Sequence, residues 1–565
     1  MTALIAEPFA ELEYSRVDYE YLANQLRRAR LRLRLAMSAE ASSHAIAEMQ
    51  ASLRLYETQS ALARIRHDLQ TDDQFYAAEQ DYYDQADARV TQLLRSFYSN
   101  LQSSRFKPEL EEQYGSLIFR KAKNLKEIVN SAVVNDLAEE NRLESTFMLT
   151  MSSALVQYNG QTLTLAQLEP MLQSPIQQIR QLSHQILQQW HQDHADELDQ
   201  IFSQLVVLRH RIGQKLGLRS FTDLGYKRME RFDYTRAEIE NLRRAVIRYI
   251  VPLTHEIRRL QRRRLGLEKL YYDDLPCLFP AGNPRVLPTV AEYPQVAAQL
   301  FAALTKQQPS FFQPLIDGGY LDLESRNNKM PGGYCSTIIN ANSVFILMNA
   351  SGTAQDVSTL LHEAGHAYAG LRSLQDVTLL EYQSPSMETC EIHSTAMEYL
   401  CYPLMDRFFG AEAENFTLMH MIETLLFIPY GCMVDEFQHI VYDQPNLTPD
   451  ERHQVWRDLE KIYQPDINYR DAPFFERGGA WHKKEHIFTA PFYYIDYVLA
   501  QLVALDIWRT SRKAPDKAWR SYDKLCSLAG RDSFRGLLEK AGLSSPFDSD
   551  TIKRVAYAAC DFIDL

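Results

Sequence analysis

One stretch, TAQDVSTLLHEAGHAYAG at positions 353 to 370, constrains this chain more than any other. Val357, Leu360, Leu361, Ala364, Ala367 and Tyr368 recur at helical spacing, so the segment is expected to be a helix with one buried face. Thr353 followed by Asp356 is a capping-box start, and Gly370 is the expected stop. His362 and His366 lie one turn apart, so both imidazoles can reach one ion. Glu363 projects about 100° round from His362, where it can touch a water at that ion without ligating it. Two neutral nitrogens and a carboxylate base make up the His-Glu-x-x-His arrangement of zinc peptidases. Such a match arises by accident on the order of a few times per hundred chains of this size. The surrounding sequence therefore has to carry the case.

That sequence is mostly helix-patterned. Helical stretches are expected over 19–69, 73–103, 107–142, 165–188, 191–216 and 235–264, then 385–409, 414–443, 449–463, 491–510 and 514–528. Asn159-Gly160 signals a tight turn, either a small hairpin or a loop. LPCLFPAGNPRVLP, at 275 to 288, reads as surface loop, and Ser343 to Met348 is a short apolar run of β-formers. That strand could offer an exposed edge to an extended peptide or lie buried within a small sheet. The pattern leaves both open. The expected fold is mainly α, with a small β-sheet next to the metal-motif helix.

At 565 residues the chain is too long for one core, and two parts are expected. These are an N-terminal helical subdomain over 1–190 and a catalytic domain over 191–565, with an approximate boundary. A net charge of −13 argues against nucleic acid or an anionic membrane as main partner. Arginines 27, 28, 30, 32 and 34 could suggest an RNA contact, but interleaved leucines favour a solvated helix face paired with acids. MTALIAEPFAELEY carries no leader pattern, and no apolar run approaches the roughly 20 residues of a membrane span. Seven scattered cysteines without a Cys-x-x-Cys pair fit reduced thiols in the cytoplasm.

A catalytic zinc needs a third protein ligand and an open position. The local metzincin extension fails, because Ala369 and Arg372 stand where a glycine and a histidine would be needed. The next helix, PSMETCEIHSTAMEYL, aligns Glu388, Glu391, Thr395 and Glu398 along one polar face, which unaided reads as solvated surface. His393 is a competitor by chemistry, but it lies about 160° from Glu391 on a helical wheel. Asp356 could orient a ligand histidine, although capping accounts for it. Further on, Pro491 is expected to open a helix on which Tyr493 and Tyr497 share a face. Tyrosines at that spacing more often belong to a core.

Six stretches resemble one family. LLHEAGHAYAG, CEIHSTAMEYL, IPYGCMVDEFQHIVY, RGGAWHKKEHIFTAPFYYIDYVLAQ, RIRHDLQTDDQFY and YKRMERFDYTR look like the thimet-oligopeptidase family of zinc peptidases, in its oligoendopeptidase F branch. The likeness runs from near residue 60 to past residue 500. It implies a zincin-like multi-helix fold whose subdomains enclose a deep cleft. It also implies one zinc per chain held by His362, His366 and Glu391, with Glu363 as general base. In this family a histidine and tyrosines stabilise the transition state. His486 matches the histidine, with Tyr497 the first choice among the tyrosines, Tyr493 the second and Tyr494 a third.

The implied activity is hydrolysis of internal bonds in short, unstructured oligopeptides. Zinc-bound water, its pKa lowered towards about 7, would give its proton to Glu363. Alternatives are an exopeptidase of the dipeptidyl carboxypeptidase type, or a non-catalytic helical peptide-binding protein. Intact Glu363 counts against the last.

Overall fold

The computed structural model describes residues 7–306 and 310–565. Residues 1 to 6 of the stretch read for a leader lie outside them. The chain forms two compact units, each discontinuous in sequence. One comprises 1–127, 285–414 and 503–544, and the other 128–284, 415–502 and 545–565. This grouping differs from a single cut near residue 190, because the chain passes between the units repeatedly.

The first unit begins with three long helices, Tyr19–Leu35, Ala39–Leu69 and Gln74–Gln102, packed on one another. Leu22, Ala23, Leu26, Ala29 and Leu33 bury one stripe of the first helix, while Arg32 pairs with Glu48 and Arg27 lies 4.0 Å from Glu20. All five arginines of the run are exposed, so the run is a solvated face, with Leu31 and Leu35 exposed on it too.

A three-stranded sheet follows in the order Leu321–Glu324, Ser343–Ala350, Tyr334–Ile338. The central strand runs parallel to the first and antiparallel to the third. Val344, Phe345, Ile346, Leu347 and Met348 are all buried. Both edges of this strand are paired, so it has none to offer a peptide and the buried alternative holds.

The motif helix, Ala354–Asp376, packs directly on that strand. Its capping box is present: the Thr353 hydroxyl accepts from the Asp356 amide, and Asp356 accepts from the Thr353 amide. Gly370 does not end the helix, which continues to Asp376. A Cβ at Gly370 would stand 2.9 Å from Val344 Cγ1, so this glycine permits close helix–sheet packing rather than a stop.

The second unit has a two-stranded hairpin, Leu155–Tyr158 with Gln161–Thr164, turned by Asn159 and Gly160 at φ 49° and 80°. Positive φ at both turn positions is what an Asn-Gly hairpin uses. The rest of this unit is helical and held by buried ion pairs. Arg209, fully buried, bonds Glu140 and Glu144 at 2.7 Å each and the Tyr442 hydroxyl at 2.8 Å. Arg243 pairs with Asp435, and Arg231 with Asp496. Buried charges persist only when paired in this way.

One local expectation fails here. The helix expected from Pro491 starts at Tyr494. Phe492 sits at φ 70°, a region bulky residues avoid. Its amide donates to Gln438 Oε1 at 2.8 Å and its carbonyl accepts from Arg231, so two side chains hold the turn that precedes the helix.

Among the described residues, Tyr402–Asp443 is long and apolar enough to cross a membrane by length and composition, which the sequence reading passed over. Of its most apolar window 72% is buried within the fold, which is the pattern of a core helix.

Candidate metal centre

The motif helix and the helix Met387–Leu400 pack face to face in the first unit, and a glycine sets how closely. A Cβ on Gly365 would lie 2.4 Å from the His393 carbonyl oxygen and 2.7 Å from Ser394 Cα. Only a residue without a side chain allows two backbones this near. That approach brings Glu391 up to the histidines. Its Oε2 stands 3.3 Å from His362 Nε2 and 3.8 Å from His366 Nε2. The two imidazoles are 5.0 Å apart between centroids and nearly perpendicular, at 82°. One donor atom from each of the three residues lies within 4.8 Å of the others.

Further contacts hold the donors. His362 Nδ1 faces Glu398 Oε1 at 2.9 Å, which leaves Nε2 for an ion. Ser394 Oγ donates to Glu391 Oε2 at 3.0 Å. The side chains of His362 and His366 remain 26% and 23% exposed, so the donor set opens on one side. Burial works against a charged His362, yet Glu391 and Glu398 outweigh it and hold its pKa well above the usual range. His366 is lowered by burial to about 4. The proton thus favours the ring pinned between two carboxylates, which makes this a place that attracts positive charge.

Glu363 is 6% exposed, and its Oε2 has no hydrogen-bond partner. Burial raises its carboxyl to about 7; His362 opposes the shift, and Glu391 and Glu398 add to it. Two imidazole nitrogens, one carboxylate, an open side and a neighbouring carboxyl with an unpartnered oxygen fit a catalytic divalent cation of the zinc type.

The remaining candidates sort cleanly. His393 is not among the donors that gather here; it is buried, its pKa is pushed down to about 3 by burial, and its backbone carbonyl accepts from the Tyr522 hydroxyl. Asp356 is occupied with the cap and with the Ser351 amide. The carboxylate that faces a ligand histidine's ring nitrogen is Glu398, which the sequence places on the polar face without a task. Its signal was spacing, since Glu398 lies two turns beyond Glu391 on the same face.

In the second unit His486, Tyr493, Tyr494 and Tyr497 form one aromatic cluster. Ring centroids are 5.8, 5.1 and 6.0 Å from His486 to the three tyrosines in turn, and 4.9 Å between Tyr493 and Tyr497. Tyr494 is buried against Phe427 and Tyr430, whereas Tyr493, Tyr497 and His486 are partly exposed. Tyr493 precedes the helix instead of lying on it, because of the turn at Phe492.

Comparison with known proteins places these observations. Residues 9–129 match the peptidase M3 N-terminal domain, and residues 305–557 match peptidase family M3. A crystal structure described as a candidate oligoendopeptidase F is 38% identical, with a TM-score of 0.93, over 99% of both chains. PZ peptidase A, solved with an inhibitor, is 36% identical with a TM-score of 0.93, over 98% of this chain and 99% of that one. The oligopeptidase PepF of Bacillus subtilis (strain 168) is 24% identical over 289 residues, 49% of this chain and 42% of that protein. The chain thus matches less than half the length of this last relative. It belongs to peptidase family M3, in the oligoendopeptidase F branch.

Proposed function

We propose that this protein is a zinc-dependent endopeptidase that cuts internal bonds of short, unstructured oligopeptides. The observation that carries the reading is the convergence of His362, His366 and Glu391 beside the unpartnered carboxyl of Glu363. His362, His366 and Glu391 would hold a divalent ion, which would supply Lewis-acid stabilisation of developing negative charge and acidify a water molecule. Glu363 removes the proton from the attacking water and hands it to the leaving nitrogen. A divalent cation bound beside it would lower its pKa from about 7, so that it works as a carboxylate at neutral pH. Glu398 keeps the His362 ring in the ligating tautomer and orientation.

The roles of His486, Tyr497 and Tyr493 rest on the family resemblance. The hydroxyl of Tyr497, aided by His486, donates to the developing oxyanion, with Tyr493 as second candidate. Partial exposure of Tyr493 and Tyr497, against the burial of Tyr494, supports these two over Tyr494. The names of the relatives, oligopeptidase and oligoendopeptidase, support oligopeptide substrates. Seven cysteines, all free, support a reducing compartment such as the cytoplasm.

The test is mass spectrometry of products from a peptide library blocked at both ends, with and without chelator. Internal cleavage abolished by chelator and restored by zinc is the expected result. Turnover confined to peptides with a free terminus would favour the dipeptidyl carboxypeptidase alternative, and chelator-resistant turnover would overturn the metal mechanism.

A further inference from the structure

A second set of metal-ligating side chains lies in the second unit, built from three separate elements. Asp199 comes from the helix Ala195–Lys215, His453 from the helix Pro449–Tyr463, and His482 from the 3-10 turn Gly479–Lys483. One donor atom from each lies within 4.8 Å of the others. Asp199 presents Oδ1 to His482 Nε2 at 3.1 Å and Oδ2 to His453 Nε2 at 3.4 Å. All three residues are buried, at 6%, 8% and 0% exposed.

The contact at His453 is the informative one. Its Nε2 is buried and makes no hydrogen bond, although a carboxylate oxygen lies 3.4 Å away. A buried nitrogen left unbonded beside an acceptor is costly. Donors around a tetrahedral zinc, with metal–nitrogen lengths of about 2.0–2.1 Å, stand about 3.3 Å from one another. The spacing suits ligands sharing an ion better than it suits a donor and its acceptor.

The arrangement is built into the backbone. Gly478 sits at φ 102°, and a Cβ there would stand 1.9 Å from the His453 carbonyl oxygen. A Cβ at Gly479 would fall 2.4 Å from the ring of Phe474. These two glycines let the turn lie against the helix of His453 and deliver His482 to Asp199. An adjoining pocket of about 820 Å³ is lined by Asp199, His453, Asp196, Asp450 and Glu476, which gives an ion an entry path and room for water as a further ligand. Arg457, Lys461 and Arg477 line it too. Opposing the ion is Arg452, whose Nη2 stands 3.9 Å from Asp199 Oδ1, while that group is engaged with the Ser203 hydroxyl at 2.6 Å.

We infer that Asp199, His453 and His482 form a second divalent-cation site of the zinc class, weaker than the first, which pins the turn four residues ahead of His486. Its role is positioning. Both oxygens of Asp199 face the imidazoles, so no donor of the set is left over to act as a base.

The test is metal counting on the full chain, stripped with chelator and titrated with zinc. Wild type should take up two equivalents and His366→Ala one. In His366→Ala the remaining zinc should raise the thermal unfolding midpoint, since it binds only the folded state. Both the equivalent and the rise should vanish in His366→Ala/His453→Asn. Cobalt bound to His366→Ala should show visible absorption of a histidine-ligated ion, a readout that does not depend on the folding of the double variant. A wild type whose single equivalent is lost in His366→Ala, a His366→Ala chain without cobalt absorption, or a second equivalent indifferent to His453→Asn would each overturn the inference. Failure of the first site would show separately, as an equivalent that His366→Ala does not remove.

Discussion

Two sets of histidines and carboxylates in this molecule differ in a telling way. His362, His366 and Glu391 come from two helices, and the histidines share one turn-spaced face. Asp199, His453 and His482 come from three elements more than 20 positions apart in the sequence. The first set has Glu363 beside it with a free oxygen and Glu398 behind it to aim a ring. The second has an arginine nearby and no spare carboxylate among its donors. The donor types of the two sets are alike; the groups just outside the donors differ.

Four experiments bear on that contrast. The largest effect is expected for Glu363→Gln, which should keep its metal and lose about 10²–10⁴-fold in kcat. Metal content and turnover measured on one preparation decide it, and unchanged turnover would erase the functional distinction between the two sets. Next comes Tyr497→Phe, expected to lower kcat by about 10²–10³-fold with KM little changed. A larger loss in Tyr493→Phe would reverse the order of the two tyrosines. Glu398→Gln should weaken metal binding about 10–100-fold, read by competition with a chelator. Affinity at the wild-type level would mean that the ring needs no aiming.

The smallest effect concerns acid sensitivity in the second unit. Burial holds His184 neutral, with its pKa lowered to about 4 from 6.5. The unfolded chain therefore binds the extra proton between those values, and stability falls as pH drops through that window. His184→Gln should flatten the dependence by about 1.4 kcal/mol per pH unit, measured by denaturant unfolding of the metal-free chain from pH 4 to 6.5. An unaltered slope would show that His184 is protonated in the fold.

The legibility of the two sets differs for a physical reason. Two donors on one helix are tied by the 3.6-residue repeat, so the motif, its capping box and its buried stripe were readable from residue types. Glu391 needed the family likeness, because the distance between two helices is not written in either one. Glu398 was visible as a position but not as a partner. Gly370 misled because a glycine late in a helix has two uses, stopping it or letting it touch a sheet, and only the location of Val344 separates them. The start of the helix at Tyr494 was hidden for a similar reason: the turn at Phe492 is imposed by Gln438 and Arg231, distant in sequence. The second set left no local pattern at all.

That turn has a consequence for how the enzyme could be altered. The Phe492 ring rests where a Cβ on Gly225 would be only 2.4 Å from it. A methyl group placed at residue 225 would press on the ring and, through it, on the turn that precedes Tyr493. A single buried methyl, introduced by Gly225→Ala, would therefore re-aim a phenol without touching it.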